Sequence, residues 1–187
     1  MKQARLLAVV LAVGLHASLG AQSRELEPHS PPALAAVLTF FDYDRSVPIH
    51  ADVVQSGKLL GFTREKIVFT GARGDRVPAF LSLPAGNGPF RVVLLMHAGA
   101  SSKSAWWTST SYERAADLTR GLLEAGYAVF ALDAQYDGER AAANDYVPIE
   151  TLYFTNEWWA SFRSMVVQTT ADYRRALDYL RSRRRRV

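Results

Sequence analysis

A short run of apolar residues that ends abruptly in a polar loop constrains the fold of this chain more than any other feature. Val92–Met96 is followed at once by His97-Ala98-Gly99 and then by several serines. Continuous apolar runs of this length are typical of parallel strands that are buried on both faces. We therefore expect a buried strand that delivers a backbone turn to a site at its carboxyl end.

A β-hairpin is predicted upstream of this run. Lys66–Thr70 and Val77–Leu83 are rich in β-branched and aromatic residues, which strands favour, and a glycine-containing turn at 71–75 separates them. Further upstream, 31–41 has the composition of a short helix, whereas proline and glycine residues in 45–61 predict an irregular segment. The sheet is therefore expected to begin with the hairpin.

Two helices and one more buried strand are predicted after the apolar run. Tyr127–Leu132 repeats the pattern of a buried strand and ends at Asp133, and a long helix is expected over 161–180. Parallel strands joined by helices indicate an α/β sheet that is covered on both faces, with ligands bound beyond the carboxyl ends of the strands. The helix residues expected to face the core are Ala115, Leu118, Leu122 and Ala125 in the first helix and Val166, Thr170, Tyr173, Leu177 and Leu180 in the second.

The composition is that of one soluble globular domain, with 187 residues of which 49% are hydrophobic and none is cysteine. The net charge of +4 comes from the two ends: removing two basic residues among the first five and five among the last seven leaves 15 of the 22, against 18 acidic residues. Nucleic-acid binders carry their basic patch on the folded body, so nucleic-acid binding is not predicted. The sequence has no His-Glu-x-x-His motif or cysteine cluster, and we predict neither a metal nor a cofactor.

Residues 1–21 are predicted to be a secretory signal peptide. Lys2 and Arg5 precede ten apolar-core residues at 6–15, and small residues suitable for cleavage follow. The alternative is an uncleaved membrane anchor, but ten residues are far fewer than the ~20 needed to span a bilayer as a helix. We expect a periplasmic or secreted protein with no stable membrane span after cleavage, in which 22–62 form a linker and pre-strand segment.

Four segments carry a resemblance to a known family. They are Arg76–Pro84, Val93–Gly99, Leu123–Val129 and Asp133–Arg140. In their order and spacing they resemble the front half of an α/β-hydrolase, and more narrowly secreted esterases of the dienelactone-hydrolase and acetyl-xylan-esterase type. The resemblance implies an incomplete α/β-hydrolase domain at 63–180, in which a mostly parallel sheet lacks its C-terminal strands. It also implies hydrolysis of a small-molecule carboxylic ester through a serine acyl-enzyme.

The loop after the apolar run is the candidate for one half of an oxyanion hole. The resemblance assigns this role to the backbone N–H groups of Ala98 and Gly99, with Gly99 preferred. A fixed N–H aimed at the oxyanion of a tetrahedral intermediate lowers the barrier by ~3 kcal/mol. A simple strand-to-loop turn, with His97 as a hydrogen-bonded structural residue, is the alternative. Asp133 could orient the loop that holds both amides, or serve only as a solvated or loop-capping residue.

The residues that perform the chemistry in this family do not occur in the sequence. It has no Gly-x-Ser-x-Gly motif and hence no catalytic nucleophile, and the triad acid and triad histidine come later in the family's chain order. We therefore expect the chain to be inactive alone. The arginine-rich tail at 181–187 suggests a truncated gene product. Alternatively, it is a genuine polybasic tail of a secreted, non-catalytic binding protein.

Aromatic side chains near the predicted strand ends are candidates for substrate contacts. A stretch rich in such residues at 146–159 could act as a lid over an acyl or glycosyl pocket. The alternative is that these rings cover the helices of the sheet. The candidate substrate-binding residues are Trp106, Trp107, Tyr136, Trp158 and Trp159.

Overall fold

The computed structural model of the protein describes residues 28–109, 114–144, 146–148, 151–155 and 159–183. The predicted signal peptide, Trp158 and residues 184–187 of the tail lie outside this part of the chain. The chain divides into two units, Met1–Ala35 and Ala36–Val187. The described residues of the first unit are exposed and include the start of helix α1 (Pro31–Leu38), which a 3-10 helix follows at Thr39–Phe41. The short helix predicted at 31–41 is thus confirmed.

The second unit is built on one five-stranded sheet. Its strands are β1 (Asp52–Leu59), β2 (Phe62–Thr70), β3 (Arg76–Leu83), β4 (Val92–Leu94) and β5 (Ala128–Leu132). They lie side by side in the order β1-β2-β3-β5-β4. The first four in this order pair antiparallel, and β4 pairs parallel with β5. Strand β4 is therefore at an edge, where its other side pairs with no described strand. The prediction of a buried strand at Val92–Met96 is wrong in extent and burial: β4 ends at Leu94, its residues are only partly buried, and Met96 is 68% exposed, because an edge strand has a neighbour on one side only.

The predicted hairpin is confirmed as β2 and β3. The pairing continues to Thr70 opposite Arg76, next to the turn, in which the N–H of Gly71 donates to the Asp75 carbonyl at 2.7 Å. Gly74 has a φ of +89°, a left-handed conformation that glycine adopts without a steric cost. The turn residues thus fix the register in which the apolar faces of both strands meet the core.

The prediction that 45–61 is irregular is wrong for Asp52–Leu59, which form β1. Nearly every side chain of β1 is exposed, so the strand lacks the apolar pattern by which strands are recognised. Its stability comes instead from backbone pairing with β2 through a tight turn at Leu60 and Gly61, whose φ angles are +57° and +85°. Gly57 lies inside the strand and does not end it.

Helices cover both faces of the sheet, as predicted for an α/β fold. Strand β5 shows this most clearly, because its alternate side chains lie on opposite faces of the sheet and every one of them is buried. Ala128, Phe130 and Leu132 belong to the cluster that includes buried residues of helix α3 (Trp159–Ser182). Val129 and Ala131 belong to the cluster beneath helix α2 (Ala115–Glu124) and a 3-10 helix at Lys103–Trp107. A further 3-10 helix spans Gly138–Asn144, and a π-helical turn spans Thr151–Thr155.

The buried face of α2 is shifted by one residue from the face that the sequence predicts. The buried residues are Ala116, Thr119 and Leu123, whereas Leu118 is half exposed. Thr119 can face the core because its hydroxyl donates to the backbone carbonyl of Trp106 at 2.5 Å. A count of apolar residues alone cannot find a buried face whose centre is a threonine.

The stripe predicted for α3 is correct only at Tyr173 and Leu180. Val166 and Leu177 are exposed, and so is Thr170. The buried face instead contains polar residues, among them Asp172, whose ion pair is described below, so apolar periodicity misplaces it. The buried residues of α3 are Gln168, Ala171, Asp172, Tyr173, Arg175, Ala176, Tyr179 and Leu180. Among the described residues, no helix combines the length and apolar character needed to cross a membrane.

Candidate active site

The carboxyl ends of the two parallel strands lie side by side. Leu94 pairs with Phe130, and beyond the end of β4 the N–H of Leu95 still donates to the Phe130 carbonyl at 2.8 Å. His97 follows β4 after this last hydrogen bond, and Asp133 follows β5 directly. The turn at His97 therefore reaches the position at which open α/β sheets bind ligands.

A cavity of about 260 Å³ lies beside these strand ends. The segments after β4 and β5 form one side of it, and α3 forms the other. Its wall is mainly apolar, which suits the uncharged part of a small organic molecule. The lining residues are Met96, His97, Gly99, Leu132, Ala134, Asp137, Met165, Val166, Thr169, Thr170 and Tyr173.

Of the two predicted oxyanion-hole residues, Gly99 lines this cavity, and Ala98 precedes it in the same loop. Ala98 and Gly99 are both exposed, and Gly99 contributes to the lining. Neither residue donates its N–H to another group in the described part of the chain. Ala100 follows with a φ of +50°, a left-handed conformation that is uncommon outside glycine. Both N–H groups are therefore without an acceptor among the described residues, and their role remains a prediction.

His97 ties the end of β4 to the end of β5. Its Nε2 accepts a hydrogen bond from the N–H of Ala134 at 3.0 Å, and its Nδ1 lies 2.7 Å from the carbonyl oxygen of Ala98. Both contacts are satisfied only when Nδ1 carries the proton and Nε2 does not. The imidazole is thus a structural link, and it holds the peptide that precedes Gly99.

A buried ion pair joins the same two segments a few residues further along. The ammonium of Lys103 lies 2.6 Å from Oδ2 of Asp133, and its backbone N–H donates to Oδ1 at 2.8 Å. The Lys103 side chain is 2% exposed and that of Asp133 is 0% exposed. Because an unpaired buried charge is costly, each side chain depends on the other to stay in place.

The turn after Asp133 completes this arrangement. The N–H of Glu139 donates to Oδ2 of Asp133 at 3.0 Å, and the Glu139 carboxylate binds the ammonium groups of Lys103 at 2.6 Å and Lys66 at 2.7 Å. Burial alone would raise the pKa of the Glu139 carboxyl, but the hydrogen bonds from the two lysines outweigh it and lower that pKa. A Cβ at Gly138 would lie 2.4 Å from the Asp133 carboxylate, so the close approach requires glycine.

A second buried network lies next to the first. Arg140 donates to the Asp133 carbonyl at 3.1 Å and to the Asp172 carboxylate at 2.9 Å, and it also pairs with Asp75. Burial raises the pKa of the Asp172 carboxyl, and the Arg140 guanidinium offsets only part of this rise. These bonds fix the turn after β5 to α3, so α3 helps to hold the floor of the site.

Tyr173 anchors α3 directly to the strand ends. Its hydroxyl donates to the carbonyl of Leu95 at 2.6 Å, and it accepts from the N–H of Leu132 at 3.5 Å. Burial raises the pKa of this hydroxyl, so it remains a protonated donor at physiological pH. Tyr173 therefore satisfies backbone groups that the sheet leaves unpaired at the base of the cavity.

Comparison with solved structures identifies the architecture. The match to a cold-adapted esterase from an Arctic intertidal metagenomic library covers 70% of this chain and 50% of the esterase chain, with a TM-score of 0.52 and 21% identity. The match to a candidate acetyl xylan esterase from Bacteroides fragilis covers 88% of this chain and 49% of the other chain, with a TM-score of 0.58 and 13% identity. The chain has an incomplete α/β-hydrolase-like fold.

The incomplete α/β-hydrolase-like fold expected from the sequence is therefore confirmed, and the structural neighbours are ester hydrolases. The expectation of a mostly parallel sheet is wrong for the described strands, because only β4 and β5 pair parallel and the other three pairings are antiparallel. The chain spans about half the length of each of these two neighbours. No protein-family model matches the sequence, and no curated protein matches it. The likeness is thus one of fold, and the chemistry must be argued from the site.

The two adjacent tryptophans of this α/β-hydrolase-like fold lie away from the cavity. Trp107 is 4% exposed, its Nε1 donates to the hydroxyl of Ser82 at 2.8 Å, and its ring meets Phe80 edge to face at 5.3 Å. Trp106 packs partly buried against the same cluster. Both rings pack with the core cluster beneath α2, which is the arrangement expected if these rings cover the helices of the sheet.

The other predicted substrate-binding residues are not brought together at the cavity either. Tyr136 lies in the turn after β5 with a φ of +73°, and it is absent from the lining. Trp159 is 56% exposed and packs edge to face on Tyr153 at 4.4 Å. The predicted contacts with substrate therefore have no support from this arrangement and stay predictions.

Sequence reasoning did not predict the pairings of the charged residues buried around the site. Lys103 and Asp172 lie more than 30 residues from the neighbouring Glu139 and Arg140, and no spacing rule links the four. The sequence does indicate the segment Asp133–Arg140, which contains two of these residues, because that segment carries part of the family resemblance. Among the described residues, no group of three or more histidine or acidic side chains could hold a metal ion.

Proposed function

We propose that this chain supplies the oxyanion-binding side of a serine-dependent carboxylic ester hydrolase that acts on small molecules. The observation that carries the proposal is the position of Gly99. Its exposed amide has no acceptor within the described chain and lies at the rim of an apolar cavity, next to the ends of β4 and β5. Esterases among the structural neighbours support the same chemistry.

The chemistry follows from where charge develops during ester hydrolysis. When a serine attacks the ester carbonyl, the oxygen becomes an anion, and a fixed N–H aimed at it stabilises the transition state more than the substrate. The amides of Ala98 and Gly99 are the groups available for this role. The apolar wall that Met165 and Val166 help to form would receive the uncharged part of the ester.

The attacking serine must come from a segment that these 187 residues do not contain, because the sequence has no Gly-x-Ser-x-Gly. We propose that such a segment is encoded downstream, and that the protein is exported by the signal at 1–21. Alone, the chain should show negligible esterase turnover. The competing function is that of an exported binding protein with a basic tail.

Two steps test the proposal. Translating the DNA beyond the Val187 codon in all three frames should reveal Gly-x-Ser-x-Gly within a few tens of codons. The joined protein should then hydrolyse p-nitrophenyl acetate with saturation kinetics, and changing its motif serine to alanine should abolish turnover. A reading frame that ends at Val187, together with a stably folded and inactive chain, would favour the binding protein instead.

A further inference from the structure

The loop that carries the candidate amides is attached at both of its ends to a single peptide. At the far end, the Asp133 carboxylate accepts hydrogen bonds from the backbone N–H of Lys103 at 2.8 Å and from the Lys103 ammonium at 2.6 Å. At the near end, the N–H of Ala134 donates to Nε2 of His97 at 3.0 Å. Asp133 and Ala134 are neighbours in sequence, so the residues 97 and 103 are held to adjacent points of one rigid strand end.

Between these attachments the loop has little else to hold it. Within the described chain, residues 98–101 hydrogen-bond only to the ring of His97, through the Ala98 carbonyl. Ala98, Gly99 and Ala100 are all exposed. Among the described residues, the two attachments are therefore the main restraints on the direction in which the amide of Gly99 points.

Stability alone does not explain why the attachment between Lys103 and Asp133 uses a buried ion pair. Replacing a buried ion pair with apolar residues is often neutral or stabilising. Here the pair is almost fully buried, and it also requires a glycine at 138 so that the Glu139 N–H can reach the carboxylate of Asp133. What such a carboxylate provides that an apolar side chain cannot is direction, because it accepts hydrogen bonds from three fixed donors at once.

We propose that Asp133 is a positioning residue, which holds the 97–103 loop so that the N–H of Gly99 faces the reacting oxygen. That this orientation matters for catalysis rests on the proposed function. Whether Asp133 holds the loop can be tested without measuring activity. Donors that stabilise an oxyanion have to be held within about 0.5 Å of their productive position. Asp133 would provide this precision from outside the substrate pocket, through Lys103.

The test compares D133N with D172N, a matched control. Both carboxylates are 0% exposed, both pair with a cation, and both accept a backbone N–H, which Ala72 donates to Asp172 at 2.7 Å. Only Asp133 bonds to the 97–103 loop. The readout is the set of ¹⁵N order parameters of the amides at 98–102 in the 187-residue chain, with the amides of β2 and β3 as an internal reference.

In the native chain the loop amides should have order parameters near those of rigid backbone, about 0.85. D133N should lower them below about 0.6 while β2 and β3 keep theirs, and D172N should leave the loop unchanged. Unchanged order in D133N, or an equal loss in D172N, would overturn the inference. If D133N does not fold, H97Q removes the near attachment without leaving a buried charge, and it should loosen 98–100 in the same way.

Kinetics of the joined, serine-containing protein separate this inference from the proposed function. D133N should lower kcat at least 10-fold relative to D172N and change KM less than 3-fold, because an oriented oxyanion donor acts in the transition state. A loop that loosens while kcat stays unchanged would leave the attachment established and contradict the catalytic role of Gly99. A loop that stays ordered would refute the positioning role of Asp133 and leave the proposed function intact.

Discussion

Lys103 Nζ and Asp133 Oδ2 lie 2.6 Å apart, and both side chains are almost completely shielded from solvent. The ammonium also lies 2.6 Å from a Glu139 oxygen and 4.9 Å from the centroid of the Phe80 ring. A lysine is seldom buried without a charged partner. This pair joins the segment after β4 to the segment after β5, so it connects the two backbone turns of the candidate site.

Breaking this pair from one side should destabilise the protein strongly. K103M leaves the carboxylate of Asp133 buried without its ammonium, which should cost ~3–5 kcal/mol of the free energy of unfolding. The double variant K103M/D133N removes both charges, and it should cost clearly less than the sum of the two single variants. Urea unfolding of all four proteins measures this coupling. Additivity within about 0.5 kcal/mol would show that the two side chains do not interact.

Two glycine substitutions should have opposite effects. G138A places a Cβ 2.4 Å from the Asp133 carboxylate at a residue with a φ of +54°, and it should cost at least ~2 kcal/mol. G121A lies inside α2 with no atom within 4 Å of the added Cβ, and it should stabilise by ~0.5–1 kcal/mol. Thermal unfolding of both variants decides the point, and a tolerated G138A would contradict the described packing.

The lysine contacts of Glu139 should make its contribution to stability depend on pH. Hydrogen bonds from Lys103 and Lys66 lower the pKa of Glu139 in the folded state, despite the opposing effect of burial. A lowered pKa means that the stabilisation is fully present above the unfolded-state value, about 4.3, and is lost as the pH falls through the folded value. E139Q should therefore be less stable than the native chain at pH 7, with the gap closing near pH 3. A gap that persists unchanged at acidic pH would argue against the ion pairs as its cause.

Removal of the amide at 99 should slow the joined, serine-containing hydrolase. G99P eliminates the N–H donor and should lower kcat by about 10²–10³-fold, the usual effect of losing one oxyanion-hole donor. G99A keeps the donor and serves as the control, because Gly99 is not among the glycines with positive φ. Initial rates with p-nitrophenyl acetate measure both variants. Equal rates for G99P and G99A would assign the oxyanion to other groups.

The parts of the fold that sequence reasoning predicted are those in which burial and residue type agree. The strand pattern at 127–132 corresponds to β5, where every side chain is buried, and the turn residues at 71–75 correspond to the hairpin connection. Strand β1 was missed because its side chains are exposed and its pairing with β2 is a property of the backbone.

The candidate site was predictable in position but not in construction. His97 and Asp133 end two apolar runs, so their proximity follows from the parallel pairing of β4 and β5. The partners that hold them could not be found in the same way. Lys103 pairs with a residue 30 positions away, and Arg140 pairs with Asp172, which is 32 positions away. Such contacts depend on how two helices and two loops pack, which no local pattern encodes.

The central claim is that the Gly99 amide faces an oxyanion, and a crystal structure of the joined protein with a phosphonate ester bound to its serine tests it most directly. The measured quantity is the distance from the Gly99 nitrogen to the phosphonyl oxygen that mimics the oxyanion. We predict about 2.7–3.1 Å, with the N–H directed at that oxygen. A phosphonyl oxygen bound by other donors, with the Gly99 amide turned away from it, would contradict the claim.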